Sequence, residues 1–443
     1  MSGEDNLERT RELLKSILIT VLSLSAIYLA AITWSAPAVG LGGESTILGR
    51  IAGIGSAIAP LPPSESKNEG YEESYELPFS AVLTLDEGRF AVLGHREEMV
   101  RTFNALRPVL SEAYASARAA GETDSESVWL DVIKRGSVFD FRSDLPLEVI
   151  ARDIGAASDD LKGIFARYIV LVPENGLLVL FCREEGGRLM RFETDVLDIP
   201  FLDALGQFSP NGGSYAFEAG VDYARLAFDE IVGLPLPEIT AWRAENVLRK
   251  DDGAAAGRLL DAFGFNLAVV RKYTSGRGGE VYVSDSGLLS IGEDGRITFE
   301  PANDGLRVSD LVGGGQSGMY AAINAARRLT QACVLNDSAR YYLRQAVDVG
   351  GTVTVIMGIE AGGLRLCEDG KYNYAVITVK GGYITAADMR LISLTADESE
   401  RYVLPEKQAV GISPAADSRM DLAYNGTENF YRLTRFFRYS EAG

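Results

Sequence analysis

The chain has 443 residues, enough for two or three domains, and its 47% hydrophobic and 9% aromatic content is typical of a globular protein. Its 62 acidic and 43 basic residues give a net charge of −19 at pH 7. Because binding to a phosphate backbone requires clustered Lys and Arg, the composition argues against nucleic acid as a partner. Three cysteines are too few for a disulfide framework, so we predict buried free thiols, with one disulfide as the alternative, at Cys182, Cys333 and Cys367.

An uncharged apolar stretch near the N-terminus predicts a membrane anchor. From Ser16 to Trp34 there are nineteen residues without a charge. At about 1.5 Å of rise per residue, a helix of this length reaches roughly 29 Å, close to the hydrocarbon thickness of a bilayer. Three basic residues precede the span. By the positive-inside rule they predict a single-pass protein of the cell membrane, with a cytoplasmic N-terminus and an extracytoplasmic bulk.

A cleaved signal peptide is the main alternative, because Ala36-Pro37-Ala38 fits a small-x-small cleavage site just after the span. The apolar run is longer than the roughly 7–15 residues of a signal-peptide core, so we expect the span to be retained. One face of the predicted helix carries small or hydroxylated side chains, which let two helix backbones approach. We predict that this face binds the membrane helix of a partner, unless the hydroxyls bond their own backbone; its candidate residues are Thr20, Ser23 and Ala30.

Composition and periodicity divide the chain into five segments. They are a cytoplasmic N-terminus, a transmembrane helix, a flexible stalk rich in Gly, Ala, Ser and Pro, a first α+β domain and a second α+β region: 1–15, 16–34, 35–76, 77–245 and 246–443. Prolines and a charged run mark the last boundary. An alternative reading divides the second region into 246–305 and 306–443.

Alternating apolar residues predict antiparallel sheets with helices packed on them. In the first domain, "LPFSAVLTLDEGRFAVL" predicts two strands around an Asp-Glu-Gly turn. Glu97 to Ala119 predicts a helix with one apolar face, kinked at Pro108. "SVWLDVI", "GSVFDFR", "RYIVLVP" and "LLVLFCR" extend the sheet, and "LPLEVIARDIGA" predicts a second helix.

The second half repeats this unit of a helix followed by a sheet. "AAAGRLLDAFGF" predicts a short helix that stops at Gly264, and "GGEVYVSDSGLLSIGEDGRITFE" predicts three strands. "GMYAAINAARRLTQACV" predicts a helix that leads into glycine-separated strands over 352–395. The predicted fold class is therefore α+β, with two or three domains of antiparallel sheet and helix behind a single transmembrane helix.

Few residues have the pattern of a catalytic or metal site. A single histidine, His95, is incompatible with a two-histidine metal site. "GGGQSGMY", at 313–320, lacks the Lys-Ser/Thr ending of a Walker loop and is one position short of G-x-S-x-G, so we interpret it as a flexible loop before a helix. We predict no catalytic residues, no cofactor and no metal.

The many acidic residues keep a second function open. An anchored extracytoplasmic hydrolase or a cell-wall ligand-binding module would use paired carboxylates or a cleft lined by a sheet. It requires a deep pocket that gathers two or more acids, or His95 beside a serine. A regulatory or interaction protein requires neither.

Together these features resemble the YycH/YycI-type regulators of the WalK/WalR two-component system of low-G+C Gram-positive bacteria. The resemblance is one of pattern over nearly the whole chain. It rests on "SVFDFRSDLPLEVIARDIGA" in the first domain, "LLDAFGFNLAVVRKYTSGRGGEVYVSDSGLLSIGEDGRITFE" in the second half, and "GGYITAADMRLISLT" and "LPEKQAVG" near the end.

The resemblance implies a non-catalytic protein with a large external α+β body, whose last part is similar to PepSY-like and YycI folds. It implies binding to a sensor histidine kinase through the membrane helix and the external domains. A related YycI-like protein is a second implied partner. The implied role is to tune the kinase and hence cell-wall metabolism, and the family supplies no catalytic residues.

Overall fold

The computed structural model describes residues 76–157, 159–235, 240–244, 254–276, 279–312, 318–368, 371–397, 402–413, 416–427 and 430–438. The chain divides into two compact units, Met1–Pro60 and Leu61–Gly443, and every described residue belongs to the second. The predicted membrane helix at 16–34, with Thr20, Ser23 and Ala30, and the predicted stalk up to residue 75 lie outside the described residues. None of the helices described from residue 76 onward is long and apolar enough to cross a bilayer.

The first sheet contains seven strands, all antiparallel to their neighbours, in the order β2-β1-β4-β5-β6-β7-β3. Their bounds are β1 Ser80–Leu85, β2 Gly88–Leu93, β3 Arg118–Thr123, β4 Ser137–Pro146, β5 Phe165–Glu174, β6 Leu177–Arg183 and β7 Leu189–Leu197. The predicted turn between β5 and β6 is confirmed. Asn175 and Gly176 both have positive φ, at 54° and 86°, as a two-residue hairpin turn requires.

Four helices accompany this sheet: α1 Arg96–Ser116, α2 Glu126–Arg135, α3 Leu147–Asp153 and α4 Ile199–Leu205. The predicted apolar face of α1 is confirmed, because all five of its members are buried: Met99, Phe103, Leu106, Leu110 and Tyr114. This face packs on β6 and β7. Pro108 lies inside the helix, as the sequence predicted.

The prediction of a strand at "SVWLDVI" is wrong, because these residues belong to α2. Ser125 caps the helix by accepting a hydrogen bond from the backbone N–H of Val128 at 3.4 Å. Trp129, Val132 and Ile133 follow helical spacing and are buried. The β-branched residues favour a strand locally, but the cap and the burial of one face decide for a helix.

A chain segment with little regular structure follows α4 and contains a two-stranded ribbon, β8 Ser214–Tyr215 with β9 Ile231–Val232. A single 3₁₀ turn, Val221–Tyr223, lies between these strands. The segment leads from the first sheet towards the second.

The second sheet contains fourteen strands among the described residues. Their bounds are β10 Ala241–Ala244, β11 Arg271–Thr274, β12 Glu280–Ser284, β13 Gly287–Ile291, β14 Arg296–Pro301, β15 Leu306–Arg307, β16 Arg340–Val349, β17 Thr352–Ala361, β18 Leu364–Glu368, β19 Ala375–Lys380, β20 Tyr383–Arg390, β21 Leu394–Asp397, β22 Arg419–Thr427 and β23 Phe430–Arg438. The main order is β11-β12-β13-β14-β20-β19-β17-β18-β22-β23-β10-β21, with β15 paired to β20 and β16 to β17. The sequence predicted an antiparallel sheet, but β18 and β22 are parallel. The second sheet is therefore mixed.

Among its described residues, the second half also contributes four helices: α5 Ala254–Ala262, α6 Val308–Val312, α7 Gly318–Gln331 and α8 Glu406–Gly411. α7 packs on β16, β17 and β19, and its apolar face includes Ala322, Ala326 and Leu329. Gly264, predicted to stop α5, follows it with a φ of 70°.

One hydrophobic cluster runs through both halves and includes Leu83 of β1, Phe299 of β14 and Ala326 of α7. Ion pairs also link the two halves of the chain. The Nη2 atom of Arg327 in α7 lies 2.6 Å from Oδ2 of Asp153 in α3 and 3.0 Å from Oε1 of Glu76. The α+β fold class is therefore confirmed. The predicted domain boundaries stay predictions; β10, before residue 245, pairs with β21 and β23 of the second sheet.

Candidate functional site

A group of buried charged side chains lies where the first sheet meets the ribbon segment and the start of β22. We call it the buried ionic cluster and define it by seven residues: Asp140, Arg142, Arg167, Arg183, Asp229, Glu230 and Arg419. Six of them are buried, and the Arg419 side chain is partly exposed. Because buried charges are rare and cluster at functional sites, this is the candidate site to test.

Two neighbouring strands of the first sheet supply the centre of the cluster. Asp140 of β4 and Arg167 of β5 form a bidentate pair, in which Nε donates to Oδ1 at 2.9 Å and Nη2 donates to Oδ2 at 3.0 Å. The guanidinium of Arg167 also lies 4.6 Å from the centre of the Tyr168 ring. This parallel geometry is the strongest arrangement of an arginine with a carboxylate.

An irregularity in β4 brings a second arginine to the same carboxylate. The pairing of β4 with β5 shifts register between Asp140 and Leu145, and Arg142 has a φ of 60°. As a result the backbone N–H of Arg142 donates to Asp140 Oδ1 at 2.6 Å, and its Nε lies 3.2 Å from Oδ2. A bulge of this kind redirects a side chain, here towards Glu230 at 3.8 Å.

The other two acids come from the ribbon segment and face the start of β22. Arg419 contacts both, with its Nη1 3.0 Å from Asp229 Oδ1 and 3.3 Å from Glu230 Oε1. The same nitrogen donates to the Tyr168 hydroxyl at 3.2 Å. Arg419 therefore joins the second sheet to the first.

Helix α2 completes the cluster from the side. The indole N–H of Trp129 donates to Asp229 Oδ2 at 3.0 Å. The guanidinium of Arg183 lies 4.8 Å from the Trp129 ring centre, and its Nη1 is 3.5 Å from Asp229 Oδ2. Arg183 also pairs with Glu126 at the start of α2. The helix that the sequence missed thus positions two members of the site.

The pKa shifts follow from burial and from the arginines. Burial alone would raise the pKa of Asp140, but Arg167 and Arg142 outweigh it and hold that pKa well below its ordinary value. Burial likewise opposes ionisation of Asp229, and Arg419 with Trp129 lowers its pKa. The pKa of Glu230 is raised, because its desolvation exceeds the attraction of Arg142 and Arg419.

A small cavity of about 10 Å³ adjoins the cluster. Its lining includes the three acids together with Ser80 and Tyr215. The hydroxyls of Ser80 and Tyr215 are buried and have no hydrogen-bond partner among the described residues. This volume corresponds to about one water molecule, which needs two to four polar partners of this kind.

The geometry of the buried ionic cluster is suited to joining β4, β5, the ribbon segment and β22, and not to hydrolysis. Three acids do meet beside one cavity, as the alternative function requires, but each faces one or more arginines within 4 Å. A glycosidase needs one acid free to donate a proton and room for a sugar between two carboxylates. A site the size of one water molecule provides no such room.

The residues singled out in the sequence lie away from this cluster or outside the described part. His95 is partly buried just before α1, and its side chain makes no capping hydrogen bond. Residues 313–317 of the glycine-rich loop lie outside the described residues. The three cysteines are buried thiols and none of them forms a disulfide, which confirms the prediction for them.

Sequence reasoning missed the cluster, although a signal was present. Its arginines interrupt apolar runs, as in "FARYIVLV" and "LVLFCREE", and its acids follow an apolar pair in "LAFDEI". A charge inside a strand that is otherwise buried requires a buried partner. The sequence could have indicated that such partners exist but not which residues they are.

The fold and the site define an α+β protein of two large sheets joined by a shared core and a buried ionic cluster. No protein-family model matches the chain, and no curated protein sequence matches it. Among solved structures, the chain is similar to the crystal structure of YycH from Bacillus subtilis, at 9% sequence identity and a TM-score of 0.47, over 82% of this chain and 94% of that chain.

Proposed function

We propose that this protein is a membrane-anchored, extracytoplasmic regulatory protein that binds a sensor histidine kinase and modulates its activity. The membrane helix at 16–34 anchors it, and contacts come from the helix face with Thr20, Ser23 and Ala30 and from the external body. A related YycI-like protein is a second partner, and the last part of the body has a PepSY-like or YycI-like fold. The proposal rests on the sequence patterns that resemble the YycH/YycI-type regulators.

The buried ionic cluster is the structural observation that supports a non-catalytic role. Its carboxylates are held by arginines that come from both sheets. A general acid or a nucleophile must be able to change its protonation state or its contacts during the reaction. The Asp140 carboxylate accepts a bidentate pair of hydrogen bonds from Arg167 and one from the backbone N–H of Arg142. These bonds hold β4, β5 and the bulge in place.

The membrane contact can be tested with the full-length protein in detergent. Each sensor histidine kinase of the source organism is co-expressed and co-purified with the wild type and with a variant that carries Thr20→Leu, Ser23→Leu and Ala30→Leu. We expect the variant to recover less kinase, because three larger side chains keep the two helix backbones apart.

A matched control replaces Leu18, Leu22 and Leu29 with isoleucine, which changes another face of the predicted helix at constant volume. The control should recover as much kinase as the wild type. Equal recovery by all three proteins would remove the membrane helix from the mechanism. Absence of any kinase in the wild-type preparation, or a native polypeptide that begins at Val39, would remove the proposed function as a whole.

A further inference from the structure

The longer run of strands in the second sheet has one covered face and one open face. On the covered face, α7 packs on β16, β17 and β19, and Phe263, just after α5, lies against Phe299 of β14 with ring centres 4.8 Å apart. The side chains on this face are buried members of the shared core, among them Val355, Ile377 and Phe299. The side chains that alternate with them point to the opposite face.

We call this opposite surface the open face and define it by three rows of side chains. The register of the paired strands sets the rows, because directly paired residues point to the same side of a sheet. The first row takes one residue from each of eight strands, from Gln345 of β16 through Ile356, Val376 and Asp388 to Tyr273 of β11.

The other two rows lie beside the first. The second row is two residues away along each of the eight strands, and it runs from Val347 of β16 to Arg271 of β11. The third row has five residues, from Val349 of β16 through Lys380 to Arg307 of β15. Two rows of eight and one of five make 21 residues, and none of them is buried.

The residue types distinguish the open face from an ordinary solvated sheet. Antiparallel sheets commonly expose one face, which then carries polar residues. The first two rows of the open face contain six large aliphatic side chains: Ile356, Val376, Val347, Leu288, Val283 and Val281. Ile356 is directly paired with Val376, and Leu288 with Val283, so these residues are grouped and not scattered singly. Grouped apolar residues on a surface mark an interaction site.

The charge of the open face also differs from that of the chain. The whole chain has 62 acidic and 43 basic residues. The three rows contain two acids and three bases: Glu300, Asp388, Arg271, Lys380 and Arg307. Asp388 is moreover paired with Arg296 at 2.5 Å. The excess of acid is therefore missing from this face.

Size and charge select a second copy of the chain as the occupant. A standard interface has about 20–30 residues on each side, and the 21 residues of the open face fall in that range. Because the chain has a net charge of −19, two copies repel on average, and the repulsion is weakest where the acid excess is missing. The face has no strong charge of either sign that would select a highly charged partner.

We propose that two copies of this protein associate through their open faces as a twofold-symmetric pair of stacked sheets. In such a contact each face meets its own counterpart, so identical row spacings lie opposite each other. The side chains of two facing sheets then interdigitate across about 10 Å. This inference goes beyond the proposed function, because association of the chain with itself does not require a kinase.

Sedimentation equilibrium of the full-length protein in density-matched detergent micelles tests the proposal. Interfaces of standard size have dissociation constants of roughly micromolar or below, so we expect the wild type to be dimeric at about 10 μM. Thr378 of the second row lies between Thr354 and Ala386, and none of the three is charged. Thr378→Arg and Thr378→Glu should each weaken dimerisation by about tenfold or more, because like charges are brought into the contact.

A mixture of the two variants separates a charge effect from damage to the fold. An equimolar mixture of Thr378→Arg and Thr378→Glu should form dimers that neither variant forms alone, because the opposite charges attract across the contact. The matched control is Thr434→Arg, which changes a partly exposed threonine of β23 outside the open face. This control should dimerise as the wild type does. Circular dichroism verifies that all variants fold.

Four outcomes would overturn the proposal. The first is a wild type that stays monomeric at about 50 μM. The second is a Thr378→Arg variant that dimerises as tightly as the wild type; if it also loses the kinase, the open face binds a different protein. The third is a mixture of the two Thr378 variants that stays monomeric. The fourth is loss of the dimer in the variant with leucine at positions 20, 23 and 30, since the contact would then be the membrane helix. Kinase co-purification is scored separately, so either proposal can fail while the other stands.

Discussion

Replacing Asp140 with asparagine tests whether the buried ionic cluster stabilises the protein by holding β4, β5 and the bulge of the first sheet in place. The asparagine side chain would keep the shape of the aspartate and one carbonyl oxygen, but it removes the negative charge. In the wild type, this carboxylate faces the Nε and Nη2 atoms of Arg167 at 2.9 and 3.0 Å, and Nε of Arg142 at 3.2 Å. The variant therefore leaves two buried arginines facing one acid fewer.

The expected cost follows from this geometry. Breaking a buried ion pair by removing one partner costs about 3–5 kcal/mol, because the remaining charge stays desolvated. Arg142 retains Glu230 at 3.8 Å, and Arg167 retains Glu185 at 3.5 Å, so we expect the lower half of that range, about 3–4 kcal/mol. Urea unfolding of the full-length protein, followed by tryptophan fluorescence and by circular dichroism, measures the change in the free energy of unfolding.

Two further variants show whether the cost comes from the unpaired charge. Asp388→Asn breaks the exposed pair with Arg296, 2.5 Å in length, and should change the free energy of unfolding by less than about 1 kcal/mol. Arg167→Met combined with Asp140→Asn should cost less than the sum of the two single changes, because no unpaired Arg167 remains. Equal effects of Asp140→Asn and Asp388→Asn, or strict additivity in the double variant, would refute the reasoning.

Three other predictions concern pH, thiols and backbone geometry. Because the folded pKa of Asp140 lies below its unfolded value of about 3.9, its contribution to stability is complete above that pH and is lost as the pH falls through the folded pKa. The difference in free energy of unfolding between the wild type and Asp140→Asn should therefore stay constant from about pH 8 to 5 and narrow only below about pH 4; narrowing at neutral pH would contradict this. The three cysteines are buried and none of them forms a disulfide, and burial raises the pKa of the thiols at positions 182 and 333, so Ellman's reagent should label none of the three until the protein unfolds. Gly305→Ala should destabilise more strongly than Gly163→Ala, by about 2 kcal/mol or more in melting experiments, because both have positive φ but only the Cβ at 305 would lie 2.2 Å from the Ile384 carbonyl oxygen; similar losses would show that the contact relaxes.

Local pattern was sufficient for most of the secondary structure. The hairpin of β1 and β2, the apolar face of α1 and the Asn-Gly turn after β5 each follow from short-range periodicity and turn chemistry, and each is confirmed. The failures have a common cause. "SVWLDVI" has strand-forming residues but is placed on the sheet as α2, and "RAAGET" has no alternation but becomes β3 by pairing with β7. In both places tertiary contacts override local preference.

The sequence by itself determined the α+β class, the apolar stretch that predicts an anchor, the acidic surface and the buried thiols, because these depend on composition and on neighbours a few residues apart. Only the tertiary structure decided that Asp140, Asp229 and Arg419 meet, although they are separated by up to 279 positions in the numbering of the chain. It also decided that Leu177 is paired with Leu197 in the register of β6 and β7. Charge pairing and surface exposure depend on distances in space, and the register of paired strands sets those distances.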